Sequence, residues 1–573
     1  MYVETVPNRN SRPAILLREA RREGQKVRKR TLANLTGWPA DQIEAFRRLL
    51  KGEKLVPAGE RLTIEHSKPH GHVEAVLLAI RKLGLEALIA AKRCRERDLV
   101  VAMIAECLIH PCSKLASTRH WNDTTLAEEL GVADAKVDEL YDALDWLRGR
   151  QSRIERKLAA RHVATGDLVL YDVTSSFYEG HTCPLAQHGH DRDGKKGLPI
   201  IVYGVMTDRD GRPVAVQVYP GNTGDPTTVP DQVETLRGRF ELSRVVLVGD
   251  RGMLTQTRIE ELKKHPGLGW ISALRSRSIR TLVEQGSVHA SLFDERNLAE
   301  IHSSEFPGER LVACFNPLLA EQRRRKREEL LTATERELAR ITAAVARRTR
   351  KPLKKDEIGV KVGRVVNRFK VAKHFEWTID DGVFDWHRRE DTIRQEAELD
   401  GIYVVRTSEP AEQLPPEDTV RGYKRLAHVE RAFRCLKGID LRVRPIRHRT
   451  EEHVRAHVFL CVLAYYVEWH LRQAWAEFLF DDEELAADRE RRDPVAPARP
   501  SASARQKKRE RKTAEGLLVQ SWDTLLTHLA TRARHTCRIQ SPEDSRPGPT
   551  FSQLTEPTPL QARAMELLNV YPV

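Results

Sequence analysis

Leu168-Val-Leu-Tyr-Asp172 and Val245-Val-Leu-Val-Gly-Asp250 are the two stretches whose reading decides the fold. Each is a short apolar run that closes on an aspartate. Such runs suit strands covered on both faces of a sheet. Side chains alternate along a strand, so Leu168, Leu170 and Asp172 share one face, and Val169, Tyr171 and Val173 share the other. A carboxylate at the end of an apolar stripe is costly unless solvent or a cation is near. Ligand sites of open α/β sheets gather at such strand ends. One strand-end aspartate alone reads as a turn cap. Two in this order, followed downstream by an acidic helix, read as a site.

The elements around these runs set the topology. Ile200–Thr207 and Pro213–Tyr219 read as strands joined by the turn-rich Asp208-Arg-Asp-Gly-Arg. Thr227–Phe240 and Thr255–His265 read as helices, and Gly269-Trp-Ile-Ser-Ala-Leu-Arg275 as a fifth strand. Three sequential strands form an antiparallel meander, and the later helix–strand units add parallel strands. The expected class is therefore α/β, with a ribonuclease H-like catalytic core: a mixed sheet with helices. That core begins at 166–275 and resumes at 416–478. Between them, 276–415 is expected to be an insertion domain, because structureless loops of that length are rare.

The flanks read differently. Ala14-Ile-Leu-Leu-Arg and Gln25-Lys-Val-Arg-Lys-Arg-Thr-Leu are strand-like around a polar turn. From about 72 to 163, apolar residues such as Val73, Val76, Leu77, Ile80 and Leu83 recur at helical spacing. Residues 1–165 are thus expected to form a mostly helical amino-terminal domain. Within it, Leu126-Ala-Glu-Glu-Leu-Gly131-Val132 and Val137-Asp-Glu-Leu140 are a candidate helix-turn-helix, a pattern that ordinary helical hairpins share. Residues 479–573, with Pro/Ala/Ser-rich and charged stretches, read as a linker and tail.

A net charge of +14 and a pI near 9.4 point to a polyanionic partner. The eight cysteines show no disulfide rhythm. The start, Met-Tyr-Val-Glu-Thr, has no basic-then-apolar leader pattern. The apolar run Val458–Val467 is too short to cross a bilayer. A reduced cytoplasm, with no membrane contact, is the expected location.

The third acid lies in Tyr423-Lys-Arg-Leu-Ala-His-Val-Glu430-Arg-Ala-Phe-Arg434-Cys-Leu-Lys437. At about 100° per residue, Tyr423, Leu426, Glu430, Phe433 and Lys437 fall on one stripe, with Arg434 about 40° off it. Tyr, Leu and Phe alone would suit a core; adding Glu and Lys suits a metal and a phosphate.

These residues resemble the DDE transposases of bacterial insertion sequences, in the branch with Tyr-x2-Arg-x3-Glu-x6-Lys and a long insertion before the catalytic Glu. Tyr423, Glu430 and Lys437 match, while Leu426 stands at the Arg position. Further similarity lies in Tyr171–Glu179, Gly221-Asn-Thr-Gly-Asp225-Pro, Gly249-Asp250-Arg-Gly252 and Leu441–Ala464, so that it covers roughly 165–470. The resemblance implies Asp172, Asp250 and Glu430 as catalytic, metal-holding acids. It implies two Mg²⁺ ions, or Mn²⁺ in their place, about 3.5–4 Å apart. Tyr423 and Lys437 would grip the DNA backbone, with Arg434 replacing the missing charge. The implied partner is double-stranded DNA, both transposon ends and target, bound by a homodimer. The alternatives are a metal-dependent nuclease without strand transfer and a noncatalytic DNA-binding regulator.

Other constellations carry less. His181, Cys183, His188 and His190 lack the tight cysteine pairs of structural zinc sites, and an active-site loop with basic DNA contacts suits them better. Cys107, His110 and Cys112 sit among apolar helical residues, where a buried cysteine is the simpler reading. The basic runs at 322–327 and 505–512 suit DNA or solvent.

Overall fold

Apolar runs with no polar face need cover on both sides, and the two aspartate-terminated runs find it at the centre of one sheet. The computed structural model describes residues 1–9, 11–53, 62–438, 440–539 and 549–572. The central strands are β1 (Leu168–Phe177), β2 (Ile200–Asp208), β3 (Pro213–Pro220), β4 (Val245–Gly249) and β5 (Leu268–Ala273). β6 (Leu298–Ile301), β7 (Arg310–Phe315) and β8 (Ile402–Thr407) extend the sheet. The order is β6-β7-β8-β5-β4-β1-β2-β3. β1, β4 and β5 run parallel, β1-β2-β3 is the antiparallel meander, and β5-β8-β7-β6 are successively antiparallel. The part from β3 to β5 is the ribonuclease H-like order.

Each face of the sheet has its own core. Val169, Tyr171 and Val173 pack with Val229, Val233, Leu236, Ile259 and Leu262 from the helices that follow β3 and β4. Leu168 and Leu170 face the other way, toward Val429, Ala432, Phe433 and Leu436 and toward the long helix Glu451–Ala474. Each leucine-sized side chain fully removed from water there contributes about 1.5–3 kcal/mol. No single helix is long and apolar enough to cross a membrane. The run Val458–Val467 is instead buried within Glu451–Ala474.

The chain divides into two compact units, Gly71–Ala530 with Pro557–Val573, and Met1–His70 with Thr531–Glu556. These cut across the boundaries expected from sequence. Helices Gly71–Lys82, Arg95–Ile109 and Val137–Arg148 do not stand apart: they pack on Glu451–Ala474 in the larger unit. Periodicity marks which face of a helix is apolar but not what covers it, and here the cover comes from over 300 residues downstream.

The stretch 276–415 divides in the same way. β6, β7 and β8 come from it and join the catalytic sheet. Helices Pro317–Ala346 and Lys355–Phe369 and the hairpin Phe375–Asp380/Val383–Arg388 keep a separate core built on Leu331, Leu338, Ile358, Val362, Phe375 and Phe384. The carboxy-terminal stretch, expected as linker and tail, is also structured. Its helices Trp522–Ala530 and Pro559–Val570 bury Trp522, Leu525, Leu529, Leu560 and Leu568, and the Trp475 indole donates to the Ala564 carbonyl at 3.0 Å. The apolar residues that do this are few and widely spaced, so charge dominates the local composition.

At the candidate helix-turn-helix, Gly131 adopts a left-handed φ of 70° between Leu126–Leu130 and Val137–Arg148. Leu140, Ala143, Leu144 and Leu147 are buried, and the outward residues Asp138, Asp142 and Asp145 are acidic. A helix presenting that stripe repels phosphate, so the hairpin serves the core.

In the smaller unit, strands Tyr2–Val6, Ala14–Glu23 and Lys26–Asn34 form one antiparallel sheet, followed by helix Ala40–Leu50. Leu62–Pro69, Ala533–Ile539 and Thr550–Leu554 form a second.

Candidate active site

β1 and β4 are hydrogen-bonded parallel neighbours, and their last paired step is Tyr171 with Gly249. Asp172 and Asp250 are the next position on each strand, on backbones about 4.8 Å apart. They continue the stripes Leu168-Leu170 and Val246-Val248, which pack toward the Glu430 helix. β1 runs on to Phe177 while β4 stops at Gly249, so Asp172 is mid-strand and Asp250 opens a turn. The backbone N–H groups of Met253 and Leu254 both donate to the Asp250 carbonyl at 3.0 Å, and the Arg251 N–H donates to its carboxylate at 2.6 Å.

Burial pushes the Asp172 carboxyl up to about 7, and the charge of Asp250 adds to the push, while the Val173 N–H and Arg192 oppose it. Two close carboxylates, one poorly hydrated, offer oxygen donors only. That is the donor set of hard divalent cations such as Mg²⁺.

The third acid arrives on a helix that is not continuous. Pro416–Lys424 and Leu426–Lys437 meet at Arg425, so Tyr423 and Glu430 lie on successive helices rather than on one stripe. Gly422 allows the first of these to lie close to the sheet: a Cβ there would meet Ile271 Cδ1 at 3.0 Å and Leu168 Cδ1 at 3.2 Å. Tyr423 is thereby held over the acids. Burial, then the charges of Asp250, Asp172 and Glu430 against that of Arg251, push its hydroxyl up to about 12. One phenol thus feels all three carboxylates. Glu430 itself is exposed, and the ligand atoms of the three acids do not all lie within 4.8 Å of one another. Leu426 packs against the core. Arg425 turns away to the Arg209 carbonyl (3.2 Å) and Asp210 (3.3 Å).

The other expected DNA contacts differ from one another. Arg434 is exposed, with no side-chain partner among the described residues. Lys437 is mostly buried: its ammonium donates to Thr174 Oγ1 at 3.0 Å and pairs with Asp193 at 2.6 Å. Burial lowers the lysine's pKa and Asp193 works against that. Arg444 reaches the same Asp193 oxygen at 2.5 Å, and the other Asp193 oxygen accepts from the Phe177 N–H at 3.1 Å. Arg192 pairs with Asp225 at 2.5 Å, and its N–H donates to Ser175 Oγ at 3.2 Å. The loop 190–193 is therefore fastened to the end of β1.

Sequence reasoning did not single out Asp193, Arg192, Arg444 or Thr174. The only signal was the polar run Asp191-Arg-Asp-Gly-Lys-Lys beside the first acid, and nothing local marks its partner as Lys437.

A cleft of about 500 Å³ opens by Gly166, Leu168, Val246 and Gly422, toward the opposite strand ends. Neither Asp172 nor Asp250 lines it. Elsewhere, Glu106, His110 and Cys112 come within 4.8 Å of one another, with Glu106 rather than Cys107 as the third member.

Residues 166–467, more than half of the chain, match the model of the transposase DDE domain. Residues 3–58 match that of the N-terminal domain of IS1634 family transposases. No curated protein matches. Among solved structures, the chain is similar to the piggyBac transposase synaptic complex with hairpin DNA, with TM-score 0.33 and 10% identity, covering 80% of this chain and 77% of that one. It is also similar to the Mos1 transposase paired-end complex with left transposon end, with TM-score 0.14 and 16% identity, covering 43% of this chain and 70% of that one.

Proposed function

The chain belongs to the DDE-domain transposases, and from that premise we propose that Asp172, Asp250 and Glu430 are the catalytic acids with which it cuts the ends of its own insertion sequence and joins them to a target. The observation that carries this reading is the shared register of Asp172 and Asp250 on neighbouring parallel strands, facing the helix that bears Glu430.

A pair of Mg²⁺ ions, when bound, supplies activation of water or a DNA 3′-hydroxyl and stabilisation of the departing oxygen. The protein's own part is placement. Buried strands fix the two aspartates, so little side-chain entropy remains to be lost on loading. Tyr423 offers its phenol at the edge of the acids, as a donor to a phosphate oxygen beside the scissile bond. Lys437 and Arg444, braced by Asp193, place positive charge beside the end of β1. Exposed Arg434, one helical turn after Glu430, meets the DNA backbone. Two DNA ends are paired by a homodimer.

The test uses purified protein and labelled DNA carrying the element's ends, with Mg²⁺ or chelator, beside Asp250→Ala. Metal-dependent cleavage at the end, lost in the variant, together with joining to a target plasmid, is the expected result. Cleavage without joining would make the protein a nuclease. Tight end binding with no cleavage by either protein would remove the catalytic reading.

A further inference from the structure

In the smaller unit, strand Ala14–Glu23 is flanked by Tyr2–Val6 only along Ala14–Arg18. Beyond that point, the paired segments 19–23 and 26–30 have no third strand beside them. Every residue from Ala20 to Leu32 is exposed, on both faces. This is a bare two-stranded ribbon, roughly 15 Å long at the rise of an antiparallel strand. Gly24, at φ 64° in the first place of the two-residue turn, closes its tip.

A bare ribbon buries little apolar surface, so its sequence is not explained by packing. Its charges are distinctive. Register places Lys26, Arg28 and Arg30 on one face with Glu23, Arg21 and Glu19 opposite them. Arg21 and Arg28 are direct cross-strand neighbours, an arrangement that costs stability in an isolated sheet. On the other face, Arg18 and Lys29 are held by Glu4 at 2.9 and 3.0 Å. Arg28 meets Glu23 at 3.1 Å. Arg21, Arg22, Lys26 and Arg30 have no acidic partner among the described residues. Four unpaired cations on a protruding ribbon await an anion of matching shape.

The major groove of duplex DNA, about 12 Å wide and 8.5 Å deep, admits a two-stranded β-ribbon with phosphates on both walls. Arginine forks bond guanine O6 and N7 there as well as phosphate. We propose that the ribbon 19–30 is a duplex-DNA-reading element that enters the major groove, with Arg21, Arg22, Lys26 and Arg30 as its contacts. The proposal deepens the transposase reading and rests on it for the identity of the DNA. The ribbon takes the sequence-reading part for which the acidic helix Val137–Arg148 is unsuited.

The test compares the full-length protein with Arg21→Ala/Arg22→Ala/Lys26→Ala/Arg30→Ala and with Asp250→Asn. The probes are a labelled duplex from the DNA bordering the coding region and a scrambled duplex of equal composition. Affinity is measured between about 50 and 200 mM salt, and guanine N7 reactivity is mapped with dimethyl sulfate. The expected result is a loss of about tenfold or more in affinity for the bordering duplex, with the log–log salt slope shallower by roughly 2–4. Major-groove guanines protected by the parent become reactive, while the thermal midpoint stays put. A ribbon variant that binds with the parent's affinity and slope, or a parent that leaves N7 reactive, overturns the proposal. Its failure is separable from failure of the transposase reading. If the parent cuts DNA in Mg²⁺ and the ribbon variant binds unchanged, the ribbon idea falls alone. If binding depends on the ribbon in both parent and Asp250→Asn but neither cuts, the catalytic reading falls alone.

Discussion

The two compact units treat charge in opposite ways. In the larger one, ionic groups are buried and paired: Glu155 with Arg239, Glu309 with Arg406, Glu468 with Arg472, and Asp193 with Lys437 and Arg444. In the smaller one, the ribbon leaves Arg21, Arg22, Lys26 and Arg30 outside and alone. A buried pair pays desolvation to fix where a group stands. An exposed cation contributes almost nothing to stability and keeps its field for a partner. Geometry is thus the product of one unit and attraction that of the other.

That contrast can be broken most decisively at the catalytic end. Asp250→Asn should reduce end cleavage to background while duplex affinity and salt slope hold, as read by gel and polarisation assays. If binding is lost together with cleavage, chemistry and attraction are not divided between separate residues.

Acid titration comes next. Burial depresses His457 to about 4, His470 to about 3 and His448 to about 2, all in the larger unit. Unfolded histidines titrate near 6.5, so between about pH 6.5 and 4 the unfolded chain binds more protons. Stability therefore falls as pH falls through that window, by up to about 2 kcal/mol per buried histidine at pH 5. Urea midpoints at pH 7 and pH 5 measure it, and equal midpoints would contradict the burial.

Asp193→Ala leaves Lys437 and Arg444 facing each other without their carboxylate. The expected cost is about 3 kcal/mol, seen as a lower urea midpoint, and a loss under 1 kcal/mol would mean that water already serves that site. The ribbon should show the smallest effect on folding: each of Arg21→Ala, Arg22→Ala, Lys26→Ala and Arg30→Ala changes stability by about 0.5 kcal/mol or less. A larger loss would make the ribbon structural and erase the contrast.

How far the sequence could be read depends on the range of the interaction concerned. The two aspartate-terminated strands, the meander after Asp172 and the strand at 268–273 were legible, because strand patterns and turn chemistry act over a few residues. The helix around Glu430 was legible too, but not its break at Arg425, where both flanks keep good helix formers. The contribution of β6, β7 and β8 to the catalytic sheet was hidden, since an edge extension and a separate domain share the same local pattern. Asp193 was hidden for the same reason, its partners lying roughly 250 residues away in the chain.

By itself, then, the sequence determined the element types, the order of the catalytic strands, the acids that end them and the basic surplus. All of these follow from side-chain periodicity, backbone preference and composition, which are local. Only the tertiary structure decided that Asp172 and Asp250 occupy consecutive register on adjacent strands, that Lys437 is braced rather than free, and that residues 19–30 stand bare. Those facts depend on which surfaces cover one another, and burial is settled by the whole chain at once.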